Sequence, residues 1–253
     1  MQLKLAYFYP TLMNLYGDRG NVQALVLRCQ WRGIDLGISE IGIGDRVDLT
    51  DFDLALFGGG QDKEQQKISQ DLVTLKAANL RSAIEDGLVT LAVCGGFQLL
   101  GEYYRPLDGS VLQGISVFDA WTEGGKYRNI GNVLTQAELS DDRVQILIGF
   151  ENHSGRTFLG AGCKPFGKIL NGFGNNGKDG TEGARYLNCF GTYLHGPLLP
   201  KNPVLADHLI GLALERRYGK GELTPLDDYL ENETRRRVIK RINKKHLLKG
   251  RIG

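Results

Sequence analysis

The sequence lacks the features that mark membrane-spanning, disulfide-stapled and zinc-binding proteins. It has four cysteines in 253 residues, and no two of them have CxxC spacing. This usage is typical of a reduced cytoplasmic protein and argues against a zinc site. No run reaches the roughly 18 apolar residues of a membrane helix, and the first residues lack the basic-then-apolar pattern of a signal peptide. We therefore expect a cytoplasmic protein that holds no metal and does not insert into membranes.

Charge is nearly balanced over the whole chain but unevenly distributed along it. The formal net charge is +2, yet residues 231–253 contain nine Lys and Arg against two Glu, a local balance of +7. Residues 1–230 therefore carry −5. We interpret the basic tail as a solvated terminal helix, with docking to an anionic surface as the alternative. Aromatic residues do not alternate with the basic ones there, so we expect no nucleic-acid partner.

Strand and helix patterns alternate over the first hundred residues. The predicted strands are 3–9, 34–43, 53–57 and 88–93, and the predicted helices are 21–32 and 68–85. This alternation is typical of an α/β protein with a mostly parallel sheet flanked by helices.

The rest of the chain has a different pattern. Residues 108–190 are rich in glycine and in short β-like runs, such as 111–118 and 144–150, and predict a β-rich insertion with a surface loop at 171–183. A strand is predicted at 187–194, a helix after the Asn202-Pro203 start signal and a last helix at 227–248. We divide the chain into an α/β domain, residues 1–200, and a C-terminal helical extension, residues 201–253.

One segment carries the main chemical signal, Leu-Ala-Val-Cys-Gly-Gly-Phe-Gln at 91–98. A strand enters Cys94, and a helix follows two glycines that permit a tight turn. The N–H groups and dipole at the start of that helix favour a thiolate, which is the nucleophilic form of cysteine. His195 ends another apolar run and is the candidate base. The alternatives are a buried core cysteine and an ordinary loop histidine.

Three motifs together resemble class I glutamine amidotransferases: the Gly-Gly-Gly loop at 58–60, the Val-Cys-Gly-Gly-Phe-Gln turn and the late Tyr-Leu-His-Gly. Gly-Phe-Glu-Asn-His-Ser-Gly-Arg-Thr at 149–157 resembles the cobyric acid synthase-like branch. Leu-Tyr-Gly-Asp-Arg-Gly-Asn at 15–21 and Lys-Tyr-Arg-Asn-Ile-Gly-Asn at 126–132 resemble the glutaminase subunits of lipid II isoglutaminyl synthases. The resemblance covers about residues 3–200 and implies a flavodoxin-like fold.

The resemblance also implies a chemistry for the site. Cys94 attacks the side-chain carboxamide of L-glutamine, His195 moves the protons, and the oxyanion is held by the N–H of Gly95 and one N–H from the Gly59–Gly60 turn. These glycines have turn geometry as their alternative role. Arg128 lies in a loop-like segment and is expected to bind the glutamine α-carboxylate, with an ordinary surface arginine as the alternative.

Two further side chains are judged from their positions in the sequence. Gln98, on the first turn of the helix after Cys94, is either a substrate contact or a helix-packing residue, and His153 is a candidate structural histidine. The resemblance implies the partner, a Mur-ligase-like subunit that forms a heterodimer with this chain and uses the ammonia to amidate the D-glutamate of lipid II. ATP and Mg²⁺ are expected on that ligase, and no cofactor is expected in this chain.

The sequence departs from the class pattern at Pro197. Most class I enzymes have a glutamate at this position, two residues after the histidine, to orient the ring. Proline cannot serve, so the acceptor comes from elsewhere in this chain or from the partner. We predict that the isolated chain is a weak glutaminase and that a partner carboxylate or amide near His195 raises its rate.

Three rival functions remain at this stage. The first is the glutaminase of cobyrinate amidation or of another synthetase, although the sequence has no P-loop of the form GxxxxGK[ST], as the fused ATP-binding domain of a cobyric acid synthase would. The second is a non-catalytic binding subunit of the same fold. The third is a cysteine peptidase of related fold.

Overall fold

The computed structural model describes residues 1–140 and 143–249. The strands are β1 (Gln2–Phe8), β2 (Asp35–Ile41), β3 (Leu54–Phe57), β4 (Val89–Val93), β5 (Tyr103–Arg105), β6 (Leu112–Gln113), β7 (Ala120–Ser140), β8 (Arg143–Leu159), β9 (Gly167–Asn171), β10 (Thr181–Glu182), β11 (Ala184–Tyr186) and β12 (Cys189–Thr192). The helices are α1 (Arg19–Gln30), α2 (Asp62–Asp71), α3 (Ala77–Glu85), α4 (Gly95–Leu100), α5 (Leu198–Lys201), α6 (Pro203–Tyr218) and α7 (Tyr229–Lys249).

The first sheet has the strand order β11-β12-β4-β3-β1-β2. All neighbours pair in parallel except β11, which runs antiparallel to β12. With β12 as its fifth parallel strand, the sheet has the 2-1-3-4-5 order of flavodoxin-like folds. Its central strands β3 and β4 are short, apolar and wholly buried, as strands covered on both faces must be. The predicted fold class is confirmed.

The helix after β3 begins six residues earlier than predicted. It runs from Asp62 to Glu85 through a π-helical turn at Leu72–Lys76, which joins α2 to α3. Its first turn is polar and acidic, with Asp62 and Glu64, so hydrophobic periodicity does not reveal it. Acidic residues at this end are favourable because they lie at the positive end of the helix dipole.

The second sheet contains the region of short β-like runs and has the order β10-β9-β7-β5-β6, with β8 paired to β7. It is dominated by an antiparallel ribbon in which β7 has 21 residues and β8 has 17. The predicted β-rich insertion is present, but the run at 111–118 was wrong as a strand, since only Leu112–Gln113 pairs. The predicted loop at 171–183 contains β10, which pairs with β9.

The C-terminal helices pack on both layers. Side chains of α6, among them Leu205 and Ile210, share the main core with the first sheet, whereas Ile242 of α7 packs against the β7–β8 ribbon. As predicted, α6 starts at Asn202-Pro203, with Asn202 at the N-cap position and Pro203 as the first helical residue. The Asn202 side chain makes no capping bond, because its amide bonds both backbone groups of Ile148 on β8, at 2.9 and 2.8 Å. None of the helices described is long and apolar enough to cross a membrane. The end of the basic tail, residues 250–253, lies outside the described residues.

Candidate active site

Cys94 lies on a strained turn between β4 and α4. Its backbone has φ 51° and ψ −104°, a region that costs a non-glycine residue about 1–3 kcal/mol. The turn is held on one side by a 2.8 Å hydrogen bond from the Cys94 N–H to the Thr192 carbonyl of β12. The Cys94 side chain is 6% exposed and lines a cavity. The predicted strand–turn–helix arrangement is therefore present, and it aims a cysteine at a cavity.

His195 lies three residues beyond β12, at the same edge of the sheet. Its backbone exchanges hydrogen bonds of 2.8 and 3.2 Å with Phe150 of β8, so the second sheet clamps the segment in place. The ring is fully buried. Burial opposes its protonation, but the nearby negative charges of Cys94 and Asp18 outweigh that effect and raise the His195 pKa to about 10. A protonated imidazole beside Cys94 is the partner that a thiolate needs.

Asp18 is the residue that sequence reasoning missed. It precedes α1, and its carboxylate Oδ1 lies 3.7 Å from Nδ1 of His195, with both side chains fully buried. Its other oxygen accepts the N–H of Gly59 at 2.6 Å. The signal available in the sequence was position alone: β1 and α1 meet at the same strand-end edge as Cys94 and His195.

The Gly59–Gly60 turn is close to both reacting side chains. A β-carbon on Gly59 would lie 2.8 Å from Cε1 of His195 and 3.4 Å from Cβ of Cys94, so only glycine fits there. Because the Gly59 N–H is donated to Asp18, the predicted oxyanion donor of this turn is narrowed to Gly60. The Gly60 nitrogen lies 3.0 Å from the point that a β-carbon on Gly95 would occupy, so the two predicted donors are neighbours.

Gln98 is held at both ends of its amide. Its Oε1 accepts from Gln65 at 2.9 Å, and its Nε2 donates to the Tyr193 hydroxyl at 3.1 Å. That hydroxyl pairs with Thr157 at 2.6 Å, and Thr157 with Thr122 at 2.7 Å. This buried chain crosses from the first sheet to the second, so the geometry favours the packing alternative for Gln98, although the residue also lines the cavity.

Arg128 lies across the cavity from α4, on β7 rather than in a loop. It falls in the register break between Gly124 and Asn129, where β7 bulges away from β8. Asn152 of β8 holds the guanidinium, accepting from Nε through Oδ1 at 2.8 Å and from Nη2 through its carbonyl at 2.7 Å. Arg128 and Cys94 line the same cavity of about 570 Å³, which is large enough for an amino acid.

His153 is a buried structural residue beside the site. Its ring stacks on Tyr193 with centroids 3.7 Å apart, and Nδ1 lies 2.9 Å from the Gly155 carbonyl. Burial lowers the His153 pKa despite the nearby Glu151 carboxylate, whose oxygens accept the N–H groups of Phe173 and Gly174. A neutral, stacked ring is suited to supporting the cavity wall.

The other three cysteines are far less reactive than a catalytic thiol must be. Burial raises the pKa of Cys29 to about 12, that of Cys163 to about 11 and that of Cys189 well above its ordinary value. All four cysteines are free thiols. Within residues 1–140 and 143–249, no three His, Cys, Asp or Glu side chains converge as a metal site would require.

Comparison with known proteins gives a consistent relationship. Residues 4–203 match the family model of the CobB/CobQ-like glutamine amidotransferase domain. The lipid II isoglutaminyl synthase (glutamine-hydrolyzing) subunit GatD of Streptococcus pneumoniae is 40% identical over 92% of this chain and 88% of its own length. The subunit of the same name from Staphylococcus aureus is 37% identical over 96% of this chain and 97% of its own.

The fold is also similar to a solved structure. The structure of PurLQS from Thermotoga maritima superimposes with a TM-score of 0.59, covering 85% of this chain and 99% of the other at 16% sequence identity. At that identity the likeness concerns the fold alone.

Proposed function

This chain belongs to the CobB/CobQ-like glutamine amidotransferase family, and we propose that it is the glutaminase subunit of a lipid II isoglutaminyl synthase. The single observation that carries the assignment is the match, nearly from end to end, to two subunits of that enzyme. The site supports it, because Cys94 and Arg128 line one cavity of amino-acid size and the buried His195, with its raised pKa, lies beside Cys94.

The first half-reaction forms a thioester. The Cys94 thiolate attacks the side-chain carbonyl carbon of L-glutamine, and the N–H groups of Gly60 and Gly95 receive the oxyanion. One such donor is worth about 10²–10³ in rate. The His195 imidazolium then protonates the departing nitrogen as the carbon–nitrogen bond breaks, and ammonia leaves.

The second half-reaction hydrolyses the thioester. His195, now neutral, takes a proton from water as the water oxygen attacks the carbonyl carbon. Collapse of this second tetrahedral intermediate breaks the carbon–sulfur bond, releases glutamate and restores the thiolate–imidazolium pair. Throughout, Arg128 holds the α-carboxylate of the substrate, while Asn152 keeps the guanidinium in one orientation.

The ammonia is consumed by a second subunit. That subunit is a Mur-ligase-like enzyme, similar to MurT, which binds ATP and Mg²⁺, activates the D-glutamate carboxylate of the lipid II stem peptide and forms the amide in peptidoglycan synthesis. The two chains form a heterodimer. Because lipid II is anchored in the membrane, the complex works in the cytoplasm at the inner face of the membrane, which it reaches through its substrate.

The rival functions differ in the product that the chain releases and in the enzyme that uses this product. A glutaminase for cobyrinate shares the family and the half-reactions but supplies a different synthetase. A non-catalytic subunit releases no ammonia, and a cysteine peptidase cleaves peptides in place of glutamine.

The decisive experiment replaces the nucleophile. We expect Cys94→Ser to lower ammonia release from glutamine by about 10⁴–10⁶-fold, because a serine hydroxyl is a poor nucleophile without a stronger base. The matched control is Cys163→Ser, which alters a buried thiol that does not line the cavity and should keep the wild-type rate. A glutamine-analogue electrophile should label Cys94 and spare Cys29, Cys163 and Cys189. Labelling of another cysteine, with Cys94→Ser still active, would refute the assignment.

The acceptor is tested with the ligase subunit present. We expect amidated lipid II when glutamine, ATP and Mg²⁺ are supplied, and no amide when Cys94→Ser replaces the wild-type chain. Addition of free ammonia should restore amidation with Cys94→Ser, because only the ammonia supply is lost. If lipid II stays unmodified while a corrin acid is amidated, the cobyrinate alternative holds.

A further inference from the structure

We infer that Asp18 is the positioning residue of His195, taking the place of the glutamate that the class has two residues after the histidine. The inference rests on the proposed function, since it concerns the base of that reaction. Pro197 occupies the usual position and offers no acceptor. The Asp18 carboxylate, which lies beside Nδ1 of the His195 ring, comes from a different part of the chain, 177 positions earlier than His195.

The geometry of Asp18 is that of an orienting group. Oδ1 lies 3.7 Å from His195 Nδ1, an ion-pair distance when the ring is protonated. Oδ2 is fixed by the 2.6 Å hydrogen bond from the Gly59 N–H. One oxygen is therefore anchored to the turn that carries the oxyanion donor, while the other faces the base. A shift of this turn would therefore move the oxyanion donor and the Asp18 carboxylate together.

Asp18 does not do what an aspartate at its position normally does. An aspartate just before a helix usually accepts an N–H of the first turn, but Asp18 makes no such side-chain bond. The Arg19 N–H is accepted instead by Asn14, at 2.8 Å. The capping role has passed to another residue, and the Asp18 carboxylate is turned into the site.

Few other titratable groups face this pair. Cys94, at the end of β4, and Asp18 are the ionisable groups that raise the His195 pKa. Tyr7 of β1 lies near Asp18. Burial and, to a smaller extent, the Asp18 charge raise the pKa of Tyr7 to about 12, so its hydroxyl stays neutral at physiological pH. Arg19 and Glu40 act on Tyr7. Asp18 is thus the carboxylate that contributes to the raised His195 pKa.

The charge of Asp18 has a defined consequence for the pH dependence. The Cys94–His195 ion pair survives on the alkaline side until the ring loses its proton. Asp18 stabilises the protonated ring, so its removal lowers the His195 pKa and moves the alkaline limb of the rate profile to lower pH. A merely structural aspartate would change stability without moving that limb.

The test uses Asp18→Asn in the full chain, measured alone and with the ligase subunit. Asparagine has the same shape and still accepts the Gly59 N–H, but it has no charge. We expect kcat for glutamine hydrolysis to fall by about 10²-fold or more with KM changed little, and the alkaline limb to fall by about one pH unit or more. Asp18→Glu retains the charge. It should therefore recover part of kcat and bring the alkaline limb of the rate profile most of the way back to its wild-type pH.

The matched control is Asp53→Asn. Asp53 is equally buried, also accepts a backbone N–H, from Lys4 at 2.7 Å, and also pairs with a cation, Arg217. It precedes β3, at the opposite end of the sheet from the site. We expect Asp53→Asn to lose stability yet keep the wild-type kcat and alkaline limb.

A second readout does not depend on turnover. The sequence has only four histidines, so the His195 ring signal can be assigned in NMR spectra and its titration followed in wild type, in Asp18→Asn and in Asp18→Ser. Asp18→Ser also removes the charge but has a smaller side chain. It provides a second uncharged variant in case Asp18→Asn does not fold. In both variants we expect His195 to titrate at lower pH than in wild type.

Two results would overturn the inference. One is a wild-type kcat and a wild-type His195 titration in both uncharged variants. The other is full recovery of the uncharged variants on adding the ligase subunit, because the orienting group would then come from the partner. Either result leaves the proposed function standing as long as Cys94→Ser releases no ammonia. Ammonia release by Cys94→Ser would instead refute the proposed function itself.

Discussion

The two sheets contribute different parts of the candidate active site. The first sheet carries the groups that would react, Cys94 and His195, at buried strand ends. The second carries Arg128 and Asn152 on a long ribbon, where the arginine is exposed to solvent. In the proposed mechanism, chemistry and substrate recognition therefore lie on separate sheets: proton transfer needs fixed geometry without water, whereas capture of a charged substrate needs an accessible cation.

The two sheets meet through a few buried contacts. The His195 backbone bridges to Phe150, Tyr193 reaches the threonine pair of the ribbon, and Glu182 of β10 accepts the Tyr193 N–H at 2.7 Å. From this division we expect substitutions in the three regions to have different effects. Changes on the first sheet lower kcat, changes on the second raise KM, and changes at the junction alter stability.

The largest effect is expected at Gly59 of the first sheet. Gly59→Ala places a β-carbon 2.8 Å from Cε1 of His195, so the ring must move. A displacement near 1 Å at a reacting group costs about 10²-fold in kcat. Steady-state kinetics measures it. Gly37→Ala on β2 is the control, because its β-carbon would meet only the Leu3 carbonyl at 3.9 Å and should leave kcat unchanged. Wild-type kcat in Gly59→Ala would show that the ring has room to spare.

The next effect concerns the junction and is a dependence on pH. Burial raises the pKa of Glu182 to about 7, partly offset by hydrogen bonds from Tyr193 and Thr192, so this carboxyl is harder to ionise in the folded chain than in the unfolded one. Its contribution to stability is thus complete below about pH 4.5 and is lost as pH rises through about 7. The loss amounts to roughly 3 kcal/mol.

Glu182→Gln should remove that dependence, because glutamine accepts the same N–H and does not ionise. Urea unfolding from pH 4.5 to 8 measures it: relative to the variant, the wild-type free energy of unfolding should decline as pH rises. Parallel curves for the two proteins would show that Glu182 ionises at an ordinary pH and that the junction is more hydrated than its burial indicates.

The smallest of the three effects is expected at Arg128 of the second sheet. Loss of a charge-assisted hydrogen bond costs about 1.5–3 kcal/mol, so Arg128→Ala should raise KM for glutamine about 10–100-fold with little change in kcat. Arg128→Lys should rescue poorly, because lysine lacks the planar fork that Asn152 and a carboxylate share. Arg105→Ala, which removes an exposed arginine paired with Glu123 on the same sheet, is the control. An equal fall in kcat and kcat/KM would place Arg128 in the chemistry and break the division between the sheets.

The two sheets also differ in how much of their structure could be predicted from the sequence. The strands β1 to β4, the Cys94 turn and the position of His195 follow from local patterns, because a parallel α/β sheet repeats one strand–helix unit. The ribbon does not: its pairing joins residues far apart in sequence, and its bulge near Arg128 has no local signature. The substrate-binding role of Arg128 that the resemblance implies stays a prediction, whereas its predicted local structure, a loop, was wrong, since Arg128 lies on a strand.

Asp18 and Gly59 show the limit most clearly. Both were visible in the sequence, Asp18 in a motif without a role and Gly59 as a candidate oxyanion donor. Only the fold shows that the Gly59 N–H is already donated to Asp18, which leaves Gly60 for the oxyanion. Hydrogen-bond assignments of this kind depend on which loops converge at a sheet edge.

The sequence by itself was enough to identify Cys94 as the candidate nucleophile, because a cysteine between an apolar strand and a glycine-led helix is typical of an activated thiol. It also determined the fold class of the first sheet, since apolar strands that alternate with amphipathic helices form a mostly parallel sheet flanked by helices. Tertiary structure alone decided which side chains support that chemistry. Asp18, Glu182 and Asn152 act across distances that local propensity does not encode, and their positions are set by the packing of one sheet's edge against another.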